Sequence, residues 1–170
     1  MKKIVSLVTV LLILVCLAAS CDSAAESGNN SDRNNNNTNG ADDMLISVMP
    51  DGNGFEEIGV SEFEISDAIK QVWRETDNKG YVIEVEGRGF NKGMIILVGI
   101  SPDGVITGAK CTASNETYGA EKSFGDSLVG KDIDTLSEVD IVAGATMTSS
   151  GYRSAVREAL NAFAIITGEN

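Results

Sequence analysis

Apolar residues recur along this chain in several distinct rhythms. Ile4 to Leu17 is a nearly unbroken apolar run near the start. Further on, Ile65, Ile69, Val72 and Trp73 fall on one face at helical spacing, with Ser66 placed to cap and Asp77 to Gly80 placed to stop. That spacing predicts a helix. Tyr81, Ile83 and Val85 then alternate with Val82, Glu84 and Glu86, as in a half-buried strand. Met94 to Ile100 is continuously apolar and is joined to Val105–Cys111 through Ser101, Pro102, Asp103 and Gly104. Proline followed by Asp-Gly is turn chemistry, so the two runs are expected to form a hairpin. From about Gly151 to Ile166, Tyr152, Ala155, Val156, Ala159, Leu160 and Phe163 make one stripe, with Arg153, Arg157 and Glu158 opposite. The expected class is α+β: a small antiparallel sheet covered by helices, closing on a C-terminal amphipathic helix.

The first apolar run is not part of that domain. Lys2 and Lys3 precede it and small residues follow, which makes residues 1–20 a secretory signal peptide, too short and wrongly flanked for a lasting transmembrane helix. Ala18, Ala19 and Ser20 before Cys21 resemble a lipobox, with Ala18 where leucine is more usual, and the resemblance makes Cys21 a lipidated first residue. The other leader cysteine, Cys16, is lost with the leader. Asp22 to Asp43 is rich in Asn, Ser, Asp, Gly and Ala and holds no aromatic residue, so it cannot bury enough surface to offset its ordering entropy. Residues 21–43 therefore read as an anchor and a tether, with a reach of roughly 75 Å when fully stretched. Residues 44–170 suit one domain with one core.

Charge and the residue types that are missing narrow the chemistry. The chain carries a formal net charge of −12. Without Lys2 and Lys3, 11 basic residues stand against 25 acidic ones, a net charge of −14. Nucleic acid is thereby excluded as a partner, because phosphate backbones are engaged by Lys and Arg. There is no histidine, and Cys111 is the sole cysteine after Cys21. Internal disulfides, cysteine metal clusters and Ser/His/Asp chemistry all fall away. No Gly-x-Ser-x-Gly elbow of a serine hydrolase occurs either.

One segment concentrates small and hydroxyl residues ahead of the last helix: Asp140-Ile141-Val142-Ala143-Gly144-Ala145-Thr146-Met147-Thr148-Ser149-Ser150. Such a helix entry can receive a phosphate on its free N–H groups. It can equally be a helix start capped by Thr148, Ser149 or Ser150. Local chemistry leaves both readings open.

The segment resembles the flavinylation motif of the FMN-binding domain family, which includes the peripheral subunits of Rnf and Na+-pumping quinone oxidoreductase complexes. The resemblance makes Thr146 the acceptor of an FMN phosphoester, Gly144 and Ala145 close-approach residues, Met147 and Thr148 neighbours of the cofactor, and Asp140 the carboxylate recognised by a flavin transferase. Ile141 stands where glycine is frequent and Ala143 where a hydroxyl residue is usual. The likeness continues in Met49-Pro50-Asp51, Phe55-Glu56-Glu57, Gly80-Tyr81-Val82, Gly89 and Gly93. Asn115-Glu116-Thr117-Tyr118-Gly119 is similar to the family's Glu-Thr-Pro-Gly loop beside the flavin, with Tyr118 in place of proline. Glu116, Thr117 and Gly119 are thus implied cofactor contacts.

The resemblance implies a lipid-anchored flavoprotein with covalent FMN on the extracytoplasmic face of the cell membrane. It would carry electrons between a membrane-bound redox protein or complex and external partners, as a carrier and not as a stand-alone enzyme. The alternative is a surface or binding lipoprotein that keeps the fold without the flavin.

Overall fold

The computed structural model describes residues 39–168. The expected signal peptide, Cys21 and the expected tether up to residue 38 lie outside the described residues. The elements are a short helix α1 (Asn39–Ile46), strands β1 (Phe55–Ile58), β2 (Ile69–Glu75), β3 (Tyr81–Arg88), β4 (Lys92–Ile100) and β5 (Ile106–Ala113), and a long helix α2 (Thr146–Thr167). Short 3-10 turns at Val60–Glu62, Ala120–Lys122, Phe124–Leu128 and Leu136–Glu138 fill the connections. Residues 39–43, expected as the end of the tether, are helical and belong to α1.

All five strands are antiparallel and lie in chain order β1-β2-β3-β4-β5. The expected α+β class holds, and so does the β4–β5 hairpin, closed by Gly104 N–H donating to Ser101 O at 3.0 Å and Ser101 N–H to Val105 O at 2.8 Å. Helix α2 crosses one face, chiefly over β3 and β4. There Tyr152, Val156, Ala159, Leu160 and Phe163 bury against Ile69, Val72, Ile83, Val85, Ile96 and Val98. Burying aliphatic side chains of this size stabilises by about 1.5–3 kcal/mol each relative to exposure.

The other face is covered as well, over part of its area. Leu45, Val48 and Met49 bury Val82 and Leu97, with Phe55 and Trp73 half-buried beside them. Two covered faces are why Met94–Ile100 is apolar without alternation, and why Val82, expected on the wet side of its strand, is fully buried.

The helix expected after the Ser66 cap, over Ile69, Val72 and Trp73, is strand β2. Ile69 pairs with Val85 while Gln71, not Lys70, pairs with Glu84, so Lys70 is an extra residue in a β-bulge. The bulge resets the alternation and turns Ile69 and Val72, three residues apart, to the same face. A bulged strand thereby imitates the i, i+3 spacing of a helix. Ser66 still acts locally: its Oγ accepts from Ala68 N at 3.3 Å as the chain enters β2.

Strand β2 ends on a carboxylate. Glu75 is fully buried and accepts N–H groups from Asn53 at 3.0 Å, Asp77 at 2.7 Å and Lys79 at 3.0 Å. Those bonds, with Asn53 foremost, hold its carboxyl below the usual range against the opposing effect of burial. It fixes the β2–β3 turn to the segment leading into β1.

Tyr152 is the opposite case. Its ring stacks edge-on against Phe124 at 5.6 Å, its hydroxyl is buried without a hydrogen-bond partner among the described residues, and burial pushes its pKa well up. Tyr152→Phe keeps the ring and removes an unpaired polar atom, whose burial costs about 1 kcal/mol or more. We expect the variant to unfold a few degrees higher in a thermal melt, and a lower midpoint would show that the hydroxyl is satisfied in solution.

Candidate functional site

The site forms where three chain segments meet at one end of the sheet. These are the β3–β4 turn (Gly89–Asn91), the loop after β5 (Ser114–Gly119) and the entry to α2 (Val142–Thr148). Glu116 joins them. Its carboxylate accepts N–H groups from Phe90 at 3.2 Å and Asn91 at 2.8 Å, and the hydroxyl of Thr148 donates to it in a short hydrogen bond. Asn91 Nδ2 donates to Asn115 O at 2.7 Å, and Asn115 Nδ2 to Lys92 O at 3.2 Å, lacing the loop to the turn a second and third time. Desolvation works against the charge on Glu116, but the bonds from Thr148, Asn91 and Phe90 outweigh it and hold the carboxyl below its ordinary value.

Close backbone contact brings α2 to this place. A Cβ on Gly151 would stand 2.1 Å from the carbonyl oxygen of Arg88. No other residue type permits that approach, which offsets the roughly 1 kcal/mol that glycine costs inside a helix relative to alanine. The helix itself begins at Thr146, five residues before the expected start at Gly151. Thr148, Ser149 and Ser150, candidates for its cap, lie inside it, and the cap position is Ala145, with no side-chain capping bond. Their hydroxyls are drawn elsewhere. Thr148 goes to Glu116, while Ser149 Oγ donates to Ala145 O at 2.9 Å and accepts from Val142 N at 3.2 Å.

The first turn of α2 is therefore open to a ligand. Among the described residues, no acceptor is found for the N–H groups of Thr146, Met147 and Thr148. Gly144 just before them has φ 81°, the left-handed conformation that glycine adopts without strain, and turns the chain into the helix. The hydroxyl of Thr146 is exposed and bonds to nothing among the described residues, whereas Thr148 is only 3% exposed.

Beside this turn is a cavity of about 240 Å3 lined by Phe90, Tyr118, Gly144, Ala145, Thr146, Met147 and Thr148. Phe90, Tyr118 and Met147 are 65%, 80% and 58% exposed, an unusual grouping of large apolar side chains in water. Of the expected site residues, Gly144, Ala145, Thr146, Met147, Thr148 and Glu116 thus come together. Thr117 is exposed in the same loop, and Gly119 ends it. Asp140 stands apart, exposed and without a hydrogen bond among the described residues. The backbone just before it is pinned to α2, since Arg153 donates to Val139 O at 2.8 Å and Ser137 O at 3.3 Å.

Phe90 was not among the expected site residues. Its signal was an aromatic side chain set in the otherwise polar turn Gly89-Phe90-Asn91-Lys92-Gly93. Beneath the loop, Cys111 is half-buried and its thiol is pushed up to about 11 by burial and by the charges of Glu121 and Glu116, which keeps it protonated at neutral pH. Glu121, also missed, is buried, and its Oε2 has no partner among the described residues.

Residues 89–161 match the sequence pattern of the FMN-binding domain family. Among curated proteins, one subunit of the proton-translocating ferredoxin:NAD(+) oxidoreductase complex of Clostridium ljungdahlii is 28% identical, over 52% of this chain and 55% of its own length. The chain thus spans about half of that relative.

Glu116 supplies a pH test. Its depressed pKa means that its stabilisation is complete above the ordinary glutamate value of about 4.3 and is lost as pH falls through the folded value. We expect Glu116→Gln to lose about 2 kcal/mol at pH 7, the range for hydrogen bonds to a charged group. The gap to the parent protein should narrow below about pH 4. A gap independent of pH in denaturant titrations would show that the charge is not what joins the three segments.

Proposed function

We propose that the chain, whose residues 89–161 match the FMN-binding domain family, is an electron-carrying flavoprotein with FMN joined through its phosphate to Thr146. The observation that carries this reading is the contrast between two hydroxyls. Thr146 is exposed at a helix start with three free N–H groups, while Thr148 is buried and committed to Glu116. Residues two apart on a helix point roughly 200° from one another, so only one of the two can face the open end.

The residues present fit the cofactor. The N–H groups of Thr146, Met147 and Thr148, with the positive end of the helix dipole, suit a phosphate. Gly144 and Ala145 keep its approach clear, and Phe90, Tyr118 and Met147 offer apolar surface to an aromatic ring. Glu116, Thr117 and Gly119 form the adjoining wall, and Thr148 acts as a positioning residue through Glu116. Bound FMN supplies one- and two-electron redox chemistry. The protein's part is to hold it at an exposed end of the sheet, where a partner can come close. A covalent link prevents loss of the cofactor where no pool would replace it.

The relative's name, a subunit of a proton-translocating ferredoxin:NAD(+) oxidoreductase complex, supports a membrane redox complex as partner; a flavin transferase acting in maturation is part of the proposal. Among the described residues no helix is long and apolar enough to cross a membrane. We assign membrane attachment to a lipid on Cys21, after removal of residues 1–20, with a tether leading to an extracytoplasmic domain at about residues 44–170. Asp140, exposed and unbonded, is free to be read by the transferase.

Intact-mass analysis after coexpression with a flavin transferase tests the attachment. Thr146→Ala should lose the FMN increment and Thr148→Ala should keep at least part of it. Asp140→Ala should be flavinylated far more slowly with its thermal midpoint unchanged within a few degrees. Retention of the increment by Thr146→Ala with loss in Thr148→Ala would move the attachment to Thr148.

Cell fractionation tests the anchor. Cys21→Ala should leave the membrane fraction or stay unprocessed, and a processed variant still firmly bound would refute lipidation.

A further inference from the structure

On the sheet face turned away from α2, a groove of about 530 Å3 runs between α1 and strands β1 to β4. Its floor is apolar and aromatic, made by Phe55, Trp73 and Leu97. Asp42, Glu57 and Glu84 stand around it, and among the described residues no lysine or arginine lines it. From this we propose that the groove is a docking site for an arginine-bearing segment of a partner protein, separate from the flavin site and independent of the FMN reading.

The chemistry of the lining selects that occupant. A guanidinium is flat, stacks on an indole face, and is matched in charge by carboxylates at the edge of the stack. The carboxylates are available for it. Among the described residues none of the three is in an ion pair; the ion pairs that β2 makes are Lys70 with Glu86 at 2.9 Å and, on the opposite face of the sheet, Arg74 with Glu56 at 3.1 Å. Glu57 accepts only a 3.3 Å bond from Gln71 Nε2. Burial pushes the Glu84 carboxyl up despite the opposing field of Lys70, the state of a carboxylate short of a close cation. The half-buried indole and the exposed Met44 add apolar surface for the stem of the side chain and its neighbours. A second copy of this chain is a poor occupant, since a charge of −12 opposes self-association.

Trp73 is the chain's only tryptophan, so its fluorescence reports on this groove directly. The experiment titrates the full chain, with and without FMN, with acetyl-Arg-Leu-Arg-amide. We expect a saturable change in Trp73 emission that weakens with added salt. Glu84→Gln should weaken binding at least tenfold. Asp126→Asn, which removes the same charge from the turn packed on β5, should leave it within twofold. Equal loss in both variants would reduce the effect to net charge and overturn the proposal. So would a chain that dimerises in sedimentation with Trp73 already shielded, or peptide binding that leaves the emission unchanged. Loss of flavinylation in Thr146→Ala has no bearing on any of these outcomes.

Discussion

A carboxylate 32 positions from its hydroxyl partner holds the functional end of this molecule together. Glu116 satisfies two N–H groups of the β3–β4 turn and the hydroxyl of Thr148 at once. Each of these segments alone is a surface loop or a helix end, free to move. Joined through one anion, they enclose a cavity beside the first turn of α2. A charged acceptor suits this task, because hydrogen bonds to an ion are roughly twice as strong as those between neutral groups. The same bond disposes of Thr148, which could otherwise compete with the helix N–H groups or with Thr146 for a ligand.

The sheet supplies the rigidity on which that arrangement rests. Strands β3 and β4 are paired over most of their length and covered on both faces, by α2 on one side and by the segment from Leu45 to Met49 on the other. Their shared turn is therefore a fixed support for Phe90 and Asn91. The tight contact of Gly151 with Arg88 then locates the helix start relative to that turn. Aromatic side chains left exposed at this end cost solubility, and a protein keeps them where a cofactor or partner uses the surface.

The features legible in the sequence were those that local chemistry determines. The Pro-Asp-Gly hairpin and the stripe of the last helix are written in neighbouring residues, and both are present. The glycine and hydroxyl residues of the 140–150 segment do lie at one helix entry. Strand β2 was hidden because its bulge at Lys70 puts Ile69 and Val72 on one face. Strand β1 was hidden because four residues with two exposed glutamates carry too little pattern. The early start of α2 could not be seen, since Thr148 inside it bonds to Glu116, a partner 32 positions away in sequence.

The two threonines show how tertiary structure resolves what a motif leaves open. In sequence, Thr146 and Thr148 are equivalent hydroxyls at a helix entry, and both occur where a phosphate or a cap would fit. Helical geometry places them on opposite sides, and burial then makes them chemically unequal. A hydroxyl that is 3% exposed and already donating to an anion would have to break that bond and unseat the loop before reacting. Among the described residues the exposed Thr146 has no such bond to break, and it sits beside donors that find no acceptor there. Under the proposed attachment, selectivity for one hydroxyl would need no special reactivity in Thr146. It would follow from Glu116 engaging the competing hydroxyl of Thr148.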